Sequence, residues 1–208
     1  MKAKKKRLLG RPPSSEQKQP TSKTILQAAS HLFLANGYQE VSVDDIARKC
    51  NVTKATVYYY YNSKAELFTE TMVQIMYRIR EQMQVMLLEE IPLRTRLFNV
   101  TKAHLKATVD IDLDGFMRET KSTLSTEQVK QMQEAEENMY NAIEKSFIDA
   151  IAIGEISEIN PKFATQTYVS LLKVGNYRNA DNEAIFPSIE ETAEHIINFF
   201  WNGLFHKS

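Results

Sequence analysis

The stretch SVDDIARKCNVTKATVYYYYNSKAELF, residues 42–68, decides the fold of this 208-residue chain. It predicts two short helices joined by a tight turn, followed by the start of a third helix. Ser42 and Asp45 have the spacing of a capping box, and Thr53 suits the N-cap of the second helix. Asn51 tolerates the left-handed conformation with which a chain leaves a helix. The pattern is typical of a helix-turn-helix, a motif that binds DNA.

The second helix is predicted over residues 54–60, with Val57 and Tyr61 as its core contacts. Its other faces then carry a small residue, hydroxyl groups and phenol rings, namely Lys54, Ala55, Thr56, Tyr58, Tyr59 and Tyr60. A helix facing water normally carries long charged side chains, whereas this set suits the major groove of DNA. The alternative is that the four tyrosines divide between core and surface and meet no partner. The flanking caps and turn favour DNA binding.

Over residues 21–68 the chain resembles the TetR family of transcriptional regulators. The resemblance is carried by residues 24–38 (TILQAASHLFLANGY), 41–47 (VSVDDIA), 52–61 (VTKATVYYYY) and 62–68 (NSKAELF). It implies an all-α protein with an N-terminal three-helix helix-turn-helix domain and a larger α-helical domain for ligand binding and dimerisation. The chain departs from the family at Ala55, where glycine is common, and at Tyr60 and Tyr61, where His-Phe is common.

The resemblance also implies roles for individual residues of the motif. Ser42, Lys54 and Lys64 would contact phosphates, Tyr58 would lie at the phosphate backbone, and Ala55, Thr56 and Tyr59 would face bases. For Lys64 the residues themselves agree, because Ser63 and Glu66 have capping-box spacing and a helix N-terminus beside a lysine attracts anions. The alternative for Lys64 is a solvated charge.

The formal net charge of zero conceals an asymmetry. Residues 1–70 contain 12 Lys and Arg against 6 Asp and Glu, and residues 71–208 contain 14 against 20. The positive half is the half expected to meet DNA. Residues 1–20 are basic, polar and rich in proline, which predicts a disordered arm, and Arg11 within Gly-Arg-Pro resembles the core of a minor-groove AT-hook. A solubilising tail that attracts DNA nonspecifically is an equal alternative.

The composition and the motifs argue against several other classes of protein. The single Cys50 excludes an internal disulfide and suits a reducing cytoplasm, and the histidines have no second ligand at metal spacing. We find no phosphate loop, nucleophile elbow or paired catalytic carboxylates. The basic residues near the start are not followed by a long apolar run, so the sequence predicts neither a signal peptide nor a membrane span. We therefore expect no catalytic residues, no metal, no cofactor, no membrane association and a cytoplasmic location.

The rest of the chain predicts further helices, so residues 21–68 form the DNA-binding domain (motif about 42–61) and residues 69–208 the helical domain. A long helix is predicted from Ser63 to before Pro92, with apolar positions at Phe68, Met72, Ile75, Ile79, Met83 and Met86. Others begin at Ser125 and Ser188, which start capping-box patterns, and at the Asn-Pro pair of residues 160–161.

The last two helices are apolar on more than one face, which predicts a homodimer that buries them in a four-helix bundle. The expected interface residues are Tyr168, Leu172, Ile197, Phe200, Trp201 and Leu204. The TetR family likewise dimerises through its last two long helices. The alternative is a monomer with a thick C-terminal core. A dimer would present two recognition helices to successive major grooves of a palindrome.

Flexible and aromatic apolar residues in the helical domain suggest a pocket for a small hydrophobic effector. The candidates are Met76, Met83, Phe98, Phe116, Met117, Met132, Met139 and Phe147. A stripe of such residues at helical spacing is more often plain core, and that alternative is the stronger one for this set.

These patterns favour a repressor that a small, largely apolar effector releases from a palindromic DNA operator. The alternative function is a DNA-bound division or nucleoid factor of the same fold, which acts through a protein partner and needs no ligand. A filled C-terminal core without a cavity would favour that alternative. An enzyme would need a buried polar constellation that the sequence does not offer.

Overall fold

The protein is described from a computed structural model, over residues 20–108, 120, 123–181 and 183–205. In this part the chain forms eight α-helices: α1 (Thr21–Glu40), α2 (Val43–Cys50), α3 (Lys54–Tyr60), α4 (Lys64–Leu87), α5 (Leu93–Thr108), α6 (Thr126–Ala152), α7 (Pro161–Gly175) and α8 (Ile189–Phe205). The predicted all-α class is confirmed. The basic arm up to residue 19, with Arg11, and the pocket candidates Phe116 and Met117 lie outside the described residues.

A first hydrophobic cluster, the N-terminal core, is enclosed by α1, α2, α3 and the first turns of α4. At its centre the ring of Phe68 meets those of Phe33 and Tyr38 edge to face, with centroids 5.1 and 4.9 Å away. Gly37 has a φ of 79°, which residues with a Cβ rarely adopt, and the chain turns there so that Tyr38 packs into the core. This core fixes the position of α2 and α3.

Helix α4 passes from the N-terminal core into a second one and is roughly 36 Å long at 1.5 Å per residue. Its buried positions include Phe68 and Met72 in the first core and Met83 and Leu87 in the second. Ile79, which continues the apolar repeat of the sequence, is 39% exposed. The boundary between the cores therefore falls within a continuous helix.

The second cluster, the C-terminal core, lies between the later turns of α4 and helices α5 to α8. Phe147, Tyr168 and Phe200 meet in it, with ring centroids 5.8 Å (147 to 200) and 5.5 Å (168 to 200) apart. The Tyr168 hydroxyl donates to the Leu97 carbonyl at 3.0 Å and lies 2.8 Å from Thr101 Oγ1. The buried phenol is thus satisfied, and burial raises the pKa of Tyr168.

The predicted starts of the later helices match the structure. Ser125 and Gln128 form both bonds of a capping box before α6, and Asn160 Oδ1 accepts from the Phe163 amide before α7. Ser188 accepts from the Glu191 amide at 3.1 Å before α8. None of the helices in the described residues is long and apolar enough to span a membrane.

The prediction that Tyr168, Leu172, Ile197 and Phe200 form a dimer interface is wrong for these four residues. Each is at most 6% exposed within a single chain, because all four belong to the C-terminal core. A side chain already enclosed by its own chain has no surface left for a partner. Trp201 and Leu204 are partly buried and pack against the same core, so α7 and α8 face inward more than their composition suggests.

Candidate DNA-binding surface

Helices α2 and α3 are joined by the turn that the sequence predicts. Ser42 Oγ accepts from the Asp45 amide at 3.1 Å, and the Ser42 amide donates to the Asp45 carboxylate at 3.0 Å. The Ser42 hydroxyl, and after it the Ser42 amide, donate to the carboxylate and lower the pKa of Asp45, so the capping box keeps its charge. Asn51 ends α2 with a φ of 55°, and Thr53 Oγ1 accepts from the Thr56 amide at 3.1 Å to start α3. The backbone groups at both ends of the turn are therefore paired.

Two side chains attach α3 to the rest of the motif. Val57 is 1% exposed and Tyr61 is 8% exposed, as predicted. The Tyr61 hydroxyl donates to the Ser22 carbonyl of α1 at 3.3 Å. Desolvation raises the pKa of Tyr61 to about 12, so this hydroxyl stays protonated and remains a donor. The side of α3 opposite these anchors is thereby held toward solvent.

That outward side of α3 carries the aromatic residues singled out in the sequence. Tyr59 is 83% exposed, and Tyr58 and Tyr60 are 43% and 40% exposed. The rings of Tyr59 and Tyr60 meet edge to face with centroids 5.1 Å apart. Ala55 is exposed beside them, and Thr56 is half-buried with its Oγ1 2.8 Å from Thr53 Oγ1. The helix presents apolar ring faces and phenol hydroxyls without long charged side chains between them.

The lysine that begins α3 forms an ion pair in the free protein. Lys54 Nζ donates to Asp44 Oδ2 of α2 at 2.6 Å, and both side chains are about half exposed. The hydrogen bond to Asp44 raises the pKa of Lys54, so the ammonium is charged at neutral pH. Sequence reasoning missed Asp44, because the spacing of two exposed residues on different helices does not reveal that they meet.

Lys64, at the start of α4, lies against α1. Its Nζ donates to the Gln39 carbonyl at 3.2 Å and stands 4.3 Å from the centroid of the Tyr38 ring. Desolvation lowers the pKa of Lys64. The expected capping box beside it is incomplete: Ser63 Oγ accepts from the Glu66 amide, whereas the Glu66 carboxylate accepts from the backbone and side-chain amides of Asn62. Lys64 therefore closes the end of α1 and is not a free surface charge.

The surface is connected to the C-terminal core through the start of α6. Met132 of α6 is 3% exposed and belongs to the N-terminal core, and Leu124 packs against the same core. The Thr123 side chain lies close to Tyr38, whose ring contacts Phe68 and the Lys64 ammonium. A displacement of α6 therefore reaches the aromatic centre of the DNA-binding domain.

The candidate pocket residues are divided between the two cores. Met76 and Met132 pack in the N-terminal core, whereas Met83, Phe98, Met139 and Phe147 belong to or contact the C-terminal core. A depression of about 320 Å³ between α5 and α8 has Phe98 in its wall together with Arg94, Thr95, Glu194, Ile197 and Asn198. Of the predicted pocket residues that the structure describes, Phe98 is the one that lines this depression.

The helix-turn-helix region, and most of the chain around it, are similar to known regulatory proteins. A capped helix-turn-helix on a helical core is the architecture of a DNA-binding transcriptional regulator. The sequence pattern of the tetR family of bacterial regulatory proteins matches residues 25–71. The HTH-type transcriptional regulator YhgD of Bacillus subtilis is 24% identical over 157 residues, which is 72% of this chain and 81% of that protein. Residues 25–71 are thus similar to the tetR family of bacterial regulatory proteins, and most of the chain is similar to an HTH-type transcriptional regulator.

Solved structures share the fold over nearly the whole chain. A TetR-family regulator from Mesorhizobium loti superposes with a TM-score of 0.75 at 20% identity, over 89% of this chain and 96% of that one. The regulator FadR of Bacillus subtilis, in complex with stearoyl-CoA, gives a TM-score of 0.71 at 18% identity, over 88% of this chain and 98% of that one. The helical fold is therefore shared with these two solved regulators.

Proposed function

We propose that the protein is a homodimeric repressor, working in the bacterial cytoplasm, that a small and largely apolar effector releases from a palindromic operator. The observation that carries the proposal is the outward face of α3, where Tyr59 is 83% exposed on a helix anchored by Val57 and Tyr61. Residues 21–68 would bind DNA, and residues 69–208 would bind the effector and the partner chain. The basic arm of residues 1–20 would add affinity for DNA. Repression results where the operator overlaps a promoter.

In the bound state Ala55, Thr56 and Tyr59 face base edges, because the small residue lets the helix approach and the methyl and ring groups pack on thymine methyls. Ser42, Lys54 and Tyr58 contact phosphates on either side. Lys64 donates to the Gln39 carbonyl in the free protein, so its share in binding is mainly to hold α1 and α4 together beneath the surface. Arg11 of the arm enters the minor groove.

The dimer interface uses the apolar side chains that α7 and α8 leave exposed. Phe163 and Val174 of α7 are 58% and 52% exposed and lie about three helical turns apart, hence on the same side. Phe199 of α8 is 72% exposed. Single apolar residues on a surface are ordinary, but three large ones on the two final helices support a four-helix bundle formed with a second chain. Trp201 and Leu204 border this surface.

The effector acts by changing the tilt of the DNA-binding domains. Both recognition helices must sit about one helical turn of DNA, roughly 34 Å, apart. A ligand that lodges beside α4 and α6 shifts α6, and the contact of Met132 and Thr123 with the N-terminal core passes that shift to α2 and α3. The stearoyl-CoA that FadR holds makes long-chain acyl compounds the first effectors to try.

The second candidate function is a DNA-bound division or nucleoid factor that holds a protein partner. The tight packing of Phe147, Tyr168 and Phe200 favours it, because a filled core needs no ligand. The two functions differ in one measurement: titration of an operator complex with acyl compounds dissociates the DNA for a ligand-responsive repressor and leaves it bound for a partner-directed factor.

Base reading by α3 is tested with the Tyr59→Ala variant. We expect a loss of roughly 1 to 3 kcal/mol at one base pair per half-site, with little change on random duplex. Thr56→Ala should relax a neighbouring position to a similar extent. Fluorescence anisotropy on operator and single-position variants measures both. The matched control is Tyr77→Ala, an exposed tyrosine on α4 that lies outside the motif. Equal losses on operator and random duplex would show that Tyr59 does not read bases.

A second prediction concerns the carboxylate that holds Lys54. The Asp44→Asn variant should bind operator and random duplex more tightly, by roughly threefold to tenfold at low salt, because Lys54 is freed for a phosphate and a like charge is removed. The slope of log affinity against log salt should steepen by up to about one unit. Asp149→Asn removes the equivalent exposed partner of Lys145 on α6 and should change neither quantity. Unchanged or weaker binding by Asp44→Asn would contradict a phosphate contact of Lys54.

A further inference from the structure

A charged residue interrupts the apolar inner side of α4. Arg80 lies one turn after Met76, which packs in the N-terminal core, and one turn before Met83, which belongs to the C-terminal core. Residues three and four apart share a helix face, so Arg80 stands where the two cores meet. The side chain is partly buried. An arginine here takes the place of an apolar residue that would have joined the cores.

One donor of the Arg80 guanidinium, its Nε, is not satisfied within the described residues. Its Nε is buried without a hydrogen-bond partner, and none of the ion pairs in this part of the chain includes it. Arg96 makes the contrast clear: its Nε is also unpaired, but Nη1 donates to the Leu87 carbonyl at 2.8 Å and Nη2 to Glu155 at 2.9 Å. A buried donor without an acceptor destabilises the fold. The position of Arg80 is therefore better explained by a bound acceptor than by the stability of the free protein.

Helix α6 supplies the opposite wall at this level. Met132 packs in the N-terminal core and Met139 against the C-terminal core, and between them Ala135 is 2% exposed. Ala135 is the smallest of these three side chains. Glu136, the residue after Ala135, accepts from the Tyr140 hydroxyl at 2.9 Å. Methionine side chains of α4 and α6 therefore lie on both sides of the level of Arg80.

We infer that Arg80 anchors the anionic group, a carboxylate or a phosphate ester, of an amphipathic effector whose hydrocarbon part packs on the methionines. The planar fork of guanidinium donors matches both kinds of oxyanion, and methionine side chains adapt to flexible chains. The inference rests on the proposed effector-released repressor and narrows its ligand class to acids with an apolar tail. The bound oxyanion supplies the acceptor that Arg80 lacks.

The test compares an acid with its neutral analogue on the full-length protein. Decanoate, decyl phosphate and decanol are titrated calorimetrically into wild type, Arg80→Met, Arg80→Lys and the control Arg78→Met, whose arginine is exposed on the outer side of α4. We expect the decanoate-to-decanol affinity ratio to fall by about tenfold or more in Arg80→Met, and to stay within about twofold of wild type in Arg78→Met. Arg80→Lys keeps the charge without the fork and should lose part of the ratio.

The outcomes separate this inference from the proposed function. A larger loss for decyl phosphate than for decanoate identifies a phosphate ester as the source of the oxyanion, and the reverse identifies a carboxylate. An unchanged ratio in Arg80→Met and Arg80→Lys overturns the anchor while leaving an apolar effector in place. Failure of all three compounds to bind wild type overturns the anchor together with the effector part of the proposed function. Decanol binding by Arg80→Met shows that the variant remains folded.

Discussion

The Phe199→Glu variant is expected to be a monomer whose operator affinity is lower by on the order of 10² to 10⁴-fold, because one DNA-binding domain without its partner loses the gain from simultaneous engagement. Phe199 is 72% exposed on α8 and leaves the core of its own chain undisturbed. A glutamate there would bury an unpaired carboxylate in the proposed bundle, which is strongly unfavourable. Sedimentation equilibrium measures the association, and anisotropy with a palindromic duplex measures the affinity.

The control is Val85→Glu, which places the same charge on an exposed valine of α4, away from α7 and α8. It should remain a dimer with wild-type affinity. The thermal unfolding of Phe199→Glu should show an intact helical chain by circular dichroism. If the Phe199→Glu variant still sediments as a dimer, the exposed side of α8 is not part of the dimer interface.

The Phe68→Ala variant should lose about 3 to 5 kcal/mol of the free energy of unfolding, which is a large part of the total for a domain of this size. Phe68 is fully buried, and its ring contacts those of Phe33 and Tyr38. Its removal leaves a cavity beneath α2 and α3, so specific DNA binding should be lost with the fold of the N-terminal domain. Chemical denaturation followed by circular dichroism measures the change.

Tyr77→Ala is the matched control for Phe68→Ala, since it shortens an aromatic residue of α4 that is 40% exposed. Its effect on unfolding should be below about 1 kcal/mol. If Phe68→Ala is no less stable than Tyr77→Ala and still binds operator, the aromatic cluster does not support the DNA-binding surface.

The ends of the helices could be predicted from sequence because the interactions that set them are local. Ser42, Asn51 and Thr53 each act on backbone groups within a few residues, and their structural roles match the pattern. The same holds for Ser125 and Asn160 at the starts of α6 and α7. A cap is a property of a short segment, so it requires no knowledge of the tertiary fold.

The sequence did not predict whether an apolar helix face packs in the core of its own chain or against a second chain. Ile197 and Phe200 have the spacing of an interface stripe, but the structure buries them in the core of their own chain. Helical periodicity indicates that a residue is buried. It does not indicate whether the residue is buried by its own chain or by a second chain. Ile79 also continues the apolar pattern of α4 and is nevertheless 39% exposed, so the pattern alone does not establish burial.

For the long cationic side chains of the DNA-binding surface, the contacts in the free protein could not be predicted from the sequence. Lys54 and Lys64 were both expected to meet phosphates, and in the free protein they contact Asp44 and the Gln39 carbonyl. These partners belong to other helices and come within reach through tertiary packing. The exposure of Tyr59, by contrast, follows from the two anchors of α3, Val57 and Tyr61, which the sequence pattern identifies.

Selection on a random-sequence duplex library at near-physiological salt tests the central claim most directly. The purified dimer should enrich a palindrome whose half-site centres are about one helical turn of DNA, roughly 34 Å, or a multiple of it apart. Tyr59→Ala should enrich the same palindrome with one degenerate position per half-site. Recovery of unenriched random sequence by wild-type protein would contradict sequence-specific operator binding and favour a nonspecific or partner-directed DNA-bound protein.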